Sequence, residues 1–224
     1  MQTENDCKQS QKRIKLVLAG GPGVGKTTVI EKLKQKLVDN DSINTIIIDE
    51  VASILLKDRS EYIKPHLPDD RITFQFIVYR VQRYIEETLE RSIKNNKPCL
   101  LIFDRGLPDI YAYINDPQDV KEKVGITDIH ELKEYDYVLI LEGKHGETPS
   151  HSLEDRIEDL DGAQLLRERT NKVWSYLYPD KAKVIPYFDD PNEKSDYVAS
   201  VINEIVGTTV FVTDKALTKE DDHE

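Results

Sequence analysis

Apolar residues in this chain fall into two patterns: short unbroken runs, and longer stretches where they return every three or four positions. The first run, residues 14–19, ends in glycines, as a strand buried on both faces does on entering a tight loop. Behind it Val29, Leu33 and Leu37 return at helical spacing up to a polar break at 39–42. Residues 45–48 read as a second strand ending at Asp49 and Glu50, and 51–58 as a short helix. Across 70–96, Phe74, Ile77, Val81, Ile85, Leu89 and Ile93 make one stripe, which predicts the longest helix. A third buried strand, 99–103, closes on Asp104; 107–115 reads as helical and 117–126 as a mobile excursion. Residues 137–141 make a fourth strand, 164–177 a helix, 184–187 a fifth strand and 192–206 the last helix.

Strands alternating with helices predict an α/β fold: one parallel sheet of five strands with helices on both faces. The expected domain covers 14–207, after a flexible leader at 1–13. Its polar stretch 143–161, broken by Gly143, Gly146 and Pro149, reads as a small lid. Residues 208–212 suggest an edge strand, followed by an acidic tail. Charge narrows the partners: 42 acidic against 31 basic residues give a net charge of -11, which argues against sequence-independent nucleic-acid binding. The two cysteines, Cys7 in the polar leader and Cys99 opening an apolar run, suit a reducing compartment rather than a disulfide. With no run of 18 apolar residues and no signal-like leader, the expected location is cytoplasmic.

The chemistry begins at GGPGVGKTT. Gly20, Gly25, Lys26 and Thr27 satisfy the spacing G-x-x-x-x-G-K-S/T between a strand and a helix. Such a loop turns its backbone N–H groups inward, and the helix behind it adds its positive end. Gly21, Pro22, Gly23, Val24, Gly25, Lys26, Thr27 and Thr28 would cradle a nucleoside triphosphate. Lys26 would reach the β- and γ-phosphates and the Thr27 hydroxyl a magnesium position. A dinucleotide loop does not fit, because Lys26 stands where its third glycine belongs.

Three further features lie where strands end, which is where ligands bind in such sheets. Asp49-Glu50 fits either the acids of a mechanical ATPase or, directly after the phosphate-loop helix, an acid that meets a small acceptor. The position favours Glu50 as acceptor-binding acid or base; a helix-capping pair is the plain alternative. Asp104 is placed to hold magnesium, with Thr27, and Arg105 to contact acceptor or phosphate through its planar fork; the alternative is a strand-end ion pair. Arg156 in the lid, with Arg167 and Arg169 behind it, could close over the triphosphate, although Glu154, Asp155, Glu158 and Glu168 offer ion-pair partners. Gln75, Tyr79, Arg80 and Arg83 lie off the apolar stripe and, with Arg71, could line an acceptor pocket or form a solvated face. His145 and His151 lack a metal-ligand set.

The phosphate loop, the Asp-Glu after the second strand and DRGLPDIYAYI together resemble the P-loop NTPase family that contains the kinase domain of NadR and the TRPL translocation defect protein. The similarity runs from about Ile14 to Val206 and includes Phe74-Gln75, Asp109, Tyr113, DGAQLLRERTNKVW and PYFDDP. The resemblance implies a three-layer, nucleoside/nucleotide-kinase-like P-loop fold with ATP or GTP and Mg2+ as cofactors. Some such relatives phosphorylate a nucleoside, and others are nucleotide-binding proteins with no settled substrate. No Asn-Lys-x-Asp motif is present, so a conventional GTPase is not expected. Two functions stay open: a kinase transferring the γ-phosphoryl group to a nucleoside, nucleotide or other small metabolite, and a nucleotide-responsive protein acting through a partner.

Overall fold

The computed structural model describes residues 13–57, 68–93, 97–114, 116–144 and 160–213. Five strands form one sheet in the order β2-β3-β1-β4-β5, every neighbouring pair parallel. They are β1 Arg13–Ala19, β2 Asn44–Ile48, β3 Cys99–Asp104, β4 Tyr137–Leu141 and β5 Ala182–Ile185. Among the described residues the helices are α1 Lys26–Lys36, α2 Val51–Lys57, α3 Pro68–Ser92, α4 Ile110–Tyr113, α5 Pro117–Val124, α6 Leu160–Leu177 and α7 Pro191–Val206. Short 3-10 turns occupy Leu107–Asp109 and Ile129–Leu132.

The central strand explains the layering. Leu16 and Leu18 of β1 pack with Val29, Ile30 and Leu33 of α1 and Val198 and Ile202 of α7. Val17 and Ala19 face the other way, onto Trp174 and Leu177 of α6 and the flank of α3 at Leu89. Each such side chain taken fully out of water contributes about 1.5–3 kcal/mol, so an apolar strand sandwiched this way is firmly seated. The loop that follows β1 therefore leaves from a strand buried on both faces.

The structure corrects several boundaries. Residues 117–124 are helix α5 rather than an excursion. Asp116 caps it by accepting from the Gln118 N–H, Pro117 supplies its first position, and Gly125 ends it at φ 82. Val120 is fully buried beneath it. Strand β5 sits two residues earlier than expected, because Pro186 has no N–H to continue the ladder. Residues 208–212 add no strand to the sheet; Phe211 makes an isolated antiparallel bridge to Leu37 and is buried with Val210. Helix α6 begins at Leu160 and α3 ends at Ser92. The remainder of the expected lid, residues 145–159 with Arg156, His145 and His151, lies outside the described residues, as do the ends of the chain.

Helix α3 buries more than its apolar stripe. Phe74 is buried, but so are Tyr79, Gln82 and Glu86, which lie off the stripe. Tyr79 packs with Leu107 and Ile110; for Glu86, and for Gln82, which donates to it, the cause is Lys15 on β1, whose ammonium is buried on the α3 side of the sheet and needs counter-charge. Its Nζ lies 3.0 Å from Glu86, 2.8 Å from Glu90 and 3.7 Å from Glu134. Burial alone would lower its pKa, and Glu86 and Glu90 raise it instead. The Tyr135 hydroxyl donates to Glu86 Oε1 at 2.7 Å and accepts from the Leu107 N–H at 2.9 Å. This ties α3 to the loop after β3. Replacing Tyr135 with phenylalanine leaves the buried Leu107 N–H without its acceptor, at an expected cost of about 1–3 kcal/mol. The check is the urea midpoint, which should fall at an unchanged m-value.

Candidate functional site

Strand register brings the candidate chemistry to one edge. Leu18 is paired with Asp104 and Ile48 with Phe103, so β1, β2 and β3 end nearly level. The phosphate loop, Glu50 and Asp104-Arg105 therefore leave the sheet side by side, beyond the carboxyl ends of its strands.

The loop is shaped by its glycines. Gly23 and Gly25 have φ of 75 and 85, a region in which an L side chain is strained. Gly21 is needed for a different reason: a Cβ there would lie 2.4 Å from the Arg167 Cα, so α6 packs directly on the loop. Lys26 opens α1, and its buried ammonium donates to the Gly20 and Gly21 carbonyls at 2.6 and 3.0 Å. Burial and the neighbouring Arg105 charge bring its pKa down to about 8, which leaves it charged at neutral pH. Beside it opens a cleft of about 490 Å3, lined by Gly23–Thr28, Glu50, Arg105 and, opposite, Tyr187, Phe188 and Asp189. That volume lies in the range of small-molecule sites. Thr27 is exposed to the cleft.

Glu50 and Arg105 form the wall between this cleft and a second, smaller hollow of about 50 Å3. Gln75, Tyr79, Gln82 and Tyr113 complete the second hollow. The Glu50 carboxylate is ion-paired with the Arg105 Nε and accepts from the Ser53 hydroxyl at 2.7 Å. Burial would raise the Glu50 pKa, but the Arg105 and Lys26 charges and the Ser53 hydrogen bond outweigh it and bring it to about 2. Arg105 also lies over the Tyr113 ring at 5.2 Å, and its Nη1 is buried with no hydrogen-bond partner. Its φ of 71 makes it the one non-glycine residue in the left-handed region among the described residues, a conformation that costs of order 1–3 kcal/mol.

The turn is held by neighbours that over-determine it. Asp109 Oδ2 accepts from the Gly106 N–H at 2.9 Å and Asp109 Oδ1 from the Trp174 indole at 3.1 Å. Tyr135 holds the next amide, Leu107. Thus a network reaching from α3 and α6 aims the arginine.

Asp104 is buried beside this pair, and its Oδ1 has no hydrogen-bond partner. Burial raises its pKa to about 6; Lys26 opposes that shift and Glu50 adds to it. A buried carboxylate with a vacant lone pair at the end of β3, together with the Thr27 hydroxyl exposed to the cleft, offers the kind of oxygen donors that a magnesium ion takes alongside water and phosphate ligands. No group of three or more His, Cys, Asp or Glu is placed to hold a metal among the described residues. Asp104→Asn removes a buried charge held against its preference, so the ligand-free protein should gain about 1–2 kcal/mol at pH 7. Thermal melts without and with magnesium and nucleotide test this: the variant should melt higher when empty and lose the gain that the ligands give the wild type.

Other residues singled out in the sequence fall elsewhere. Asp49 does not face the cleft: it is half-exposed and paired with Lys34. Arg83 pairs with Glu134 at the Lys15 cluster, and Arg80 is exposed. Arg167 donates to the Pro22 carbonyl at 2.7 Å, whereas Arg169 lines a separate hollow with Tyr111, Lys172 and Tyr176. The Arg71 side chain lies outside what the structure describes. Two contributors were missed. Ser53 stands three residues after Glu50 at the start of α2, the spacing of a capping partner. Lys194, in the first turn of α7, donates to the Val24 and Glu142 carbonyls at 2.9 and 2.6 Å.

An all-parallel five-stranded sheet, with the phosphate loop after its central strand and helices on both faces, defines a nucleotide-kinase-like P-loop protein. The chain belongs to the AAA-domain family, whose profile matches residues 15–184. This agrees with the resemblance read from the sequence. No curated protein sequence matches the chain. Among solved structures it is similar to deoxyadenosine kinase from M. mycoides, with a TM-score of 0.56, 14% identity, and 85% of this chain and 100% of that one covered. It is also similar to thymidylate kinase from Ehrlichia chaffeensis, with a TM-score of 0.52, 17% identity, and 85% and 99% covered. At these identities the likeness is one of fold. No helix among the described residues is long and apolar enough to cross a membrane.

Proposed function

We propose that the chain is a P-loop small-molecule kinase that binds ATP or GTP with Mg2+ and transfers the γ-phosphoryl group to a nucleoside, nucleotide or similar small metabolite. The observation that carries this reading is the Glu50–Arg105 pair, which lines both the triphosphate cleft and the second hollow. A protein that only responds to nucleotide needs Lys26 and Thr27 but has no use for a buried acid and arginine shared with an adjoining pocket.

In the reaction the bond from the γ-phosphorus to its bridging oxygen breaks as one forms to an acceptor oxygen; a hydroxyl acceptor passes its proton to solvent water, and a phosphate acceptor has none to lose. Lys26 leaves the Gly20 and Gly21 carbonyls for the β- and γ-phosphates and offsets the charge on the leaving oxygen. Glu50 accepts the hydrogen bond of the acceptor hydroxyl and aims it. With a pKa near 2 it is a weak base, which suits a loose transition state where alignment counts for more than early proton removal. The free Arg105 Nη1 donates to the transferring group or to an acceptor phosphate. Thr27 and Asp104 would hold magnesium, which neutralises phosphate charge when bound. The loop Gly21-Pro22-Gly23-Val24-Gly25 with Thr28 cradles the triphosphate, Gln75 and Tyr79 meet the acceptor, and Arg156, outside the described residues, would contribute its charge to the phosphates. The buried free thiol of Cys99 suits work in the cytoplasm.

The test is a metabolite screen with γ-labelled ATP and GTP in parallel. Transfer of label to one acceptor class supports the reading. Hydrolysis that no metabolite diverts, with tight triphosphate binding, would favour the nucleotide-responsive alternative.

A further inference from the structure

Two cations from separate helices end on alternate carbonyls of one loop. Arg167 Nε reaches from α6 to the Pro22 carbonyl at 2.7 Å, and Lys194 Nζ reaches from α7 to the Val24 carbonyl at 2.9 Å. Lys194 also holds the Glu142 carbonyl, where the chain leaves β4, at 2.6 Å. In a trans peptide the C=O and the following N–H point in opposite directions, and no cis peptide occurs among the described residues. Drawing the Pro22 and Val24 carbonyls outward therefore turns the Gly23 and Gly25 N–H groups to the other side, toward the cleft that both glycines line. Positive φ at these two glycines, alternating with ordinary backbone between them, is the conformation of an anion-binding nest.

We propose that Lys194 and Arg167 are positioning residues of the phosphate loop, each fixing one peptide so that its amide is aimed at the triphosphate before any ligand arrives. The proposal rests on the reading that this cleft takes a triphosphate; it does not depend on which acceptor is used. The position of Lys194 supports it. A lysine in the first turn of a helix opposes the dipole, and this one is buried as well. Burial brings its pKa down to about 8, with Glu142 acting against the shift. Such a placement breaks two local preferences, and the two carbonyls it grips are what it gains. Pre-aimed donors need no reorganisation when charge arrives, which is where electrostatic stabilisation of phosphates is strongest.

The experiment compares wild type, Lys194→Met and Arg167→Met, which keep an unbranched apolar stem and remove the donor. Magnesium tripolyphosphate and ATP are titrated by calorimetry, and the Gly23 and Gly25 amides are followed by NMR. Tenfold or greater loss of tripolyphosphate affinity is expected in each variant. The amide response should be crossed: on binding, Gly25 loses its shift and exchange protection in Lys194→Met, and Gly23 does so in Arg167→Met. A merely structural role would lower stability without sorting the amides by variant. Unchanged affinity in both variants, or equal loss at both glycines in each, overturns the proposal. If Lys194→Met does not fold, Arg167→Met decides through Gly23 alone. A wild type that binds neither probe would instead overturn the triphosphate reading itself.

Discussion

Lys26→Met is expected to weaken triphosphate binding by roughly 10- to 100-fold, the loss of one charge-assisted contact worth about 1.5–3 kcal/mol. Turnover should fall by a further factor, because the ammonium does more for the charge that develops on the leaving oxygen than for the resting ligand. The same variant should not harm the empty protein. Lys26 has a folded pKa of about 8 against an ordinary value of 10.5. A lysine whose pKa falls on folding disfavours the native state, by an amount that grows as pH falls from about 10.5 to 8 and is constant below. Removing it at pH 7 relieves that cost, set against the Gly20 and Gly21 carbonyls that lose their donor. Equal or higher melting temperature without ligand, combined with lost affinity, is the expected signature. Unaltered triphosphate affinity would contradict the assignment of the loop as the binding site.

The contrast between Lys26 and its neighbours shows what could be read from the chain. Lys26 was legible because a strand, a glycine loop and a helix are local features with fixed spacing. Glu50 was legible from topology, since it follows β2, and so was the pairing of Asp104 and Arg105 with the end of β3. The left-handed conformation of Arg105 was not, because it is held by Asp109 with Trp174 and Tyr135, and nothing in the sequence shows that these three meet at the turn after β3. Arg167 and Arg169 look alike in the sequence, yet two residues along a helix is a rotation of about 200°. One therefore reaches the loop and the other a different face. Helix α5 escaped because its lone buried side chain, Val120, makes too short an apolar pattern, although Asp116-Pro117 and Gly125 marked both of its ends. Burial of Glu86 on α3 depended on Lys15, about seventy residues earlier, so apolar periodicity alone misplaced the deepest face.

Glu50→Gln is expected to cut acceptor phosphorylation at least 100-fold while leaving triphosphate affinity within about threefold. Glutamine keeps the size of the side chain and one hydrogen-bonding oxygen, but it withdraws the charge that holds Arg105. The guanidinium is then buried without its counter-charge and with its Nη1 still unpaired, so both the aim of the acceptor hydroxyl and the donor to the transferring group are weakened together. Stability should fall with activity. A carboxylate with a folded pKa of about 2 and an unfolded value near 4.5 contributes stability that is complete above about pH 4.5 and disappears as pH falls to about 2. Near pH 7 the variant should be less stable by about 2 kcal/mol. Its acid-denaturation profile should lack the part of the slope between pH 4.5 and 2 that wild type shows. These two readouts separate chemistry from scaffolding. A variant that is destabilised yet phosphorylates normally when cooled would show that the pair serves the fold, and Glu50 would lose its place at the acceptor. Lost phosphorylation with intact triphosphate binding, in protein that is folded at the assay temperature, places the carboxylate at the second substrate, because the first is still held by the loop.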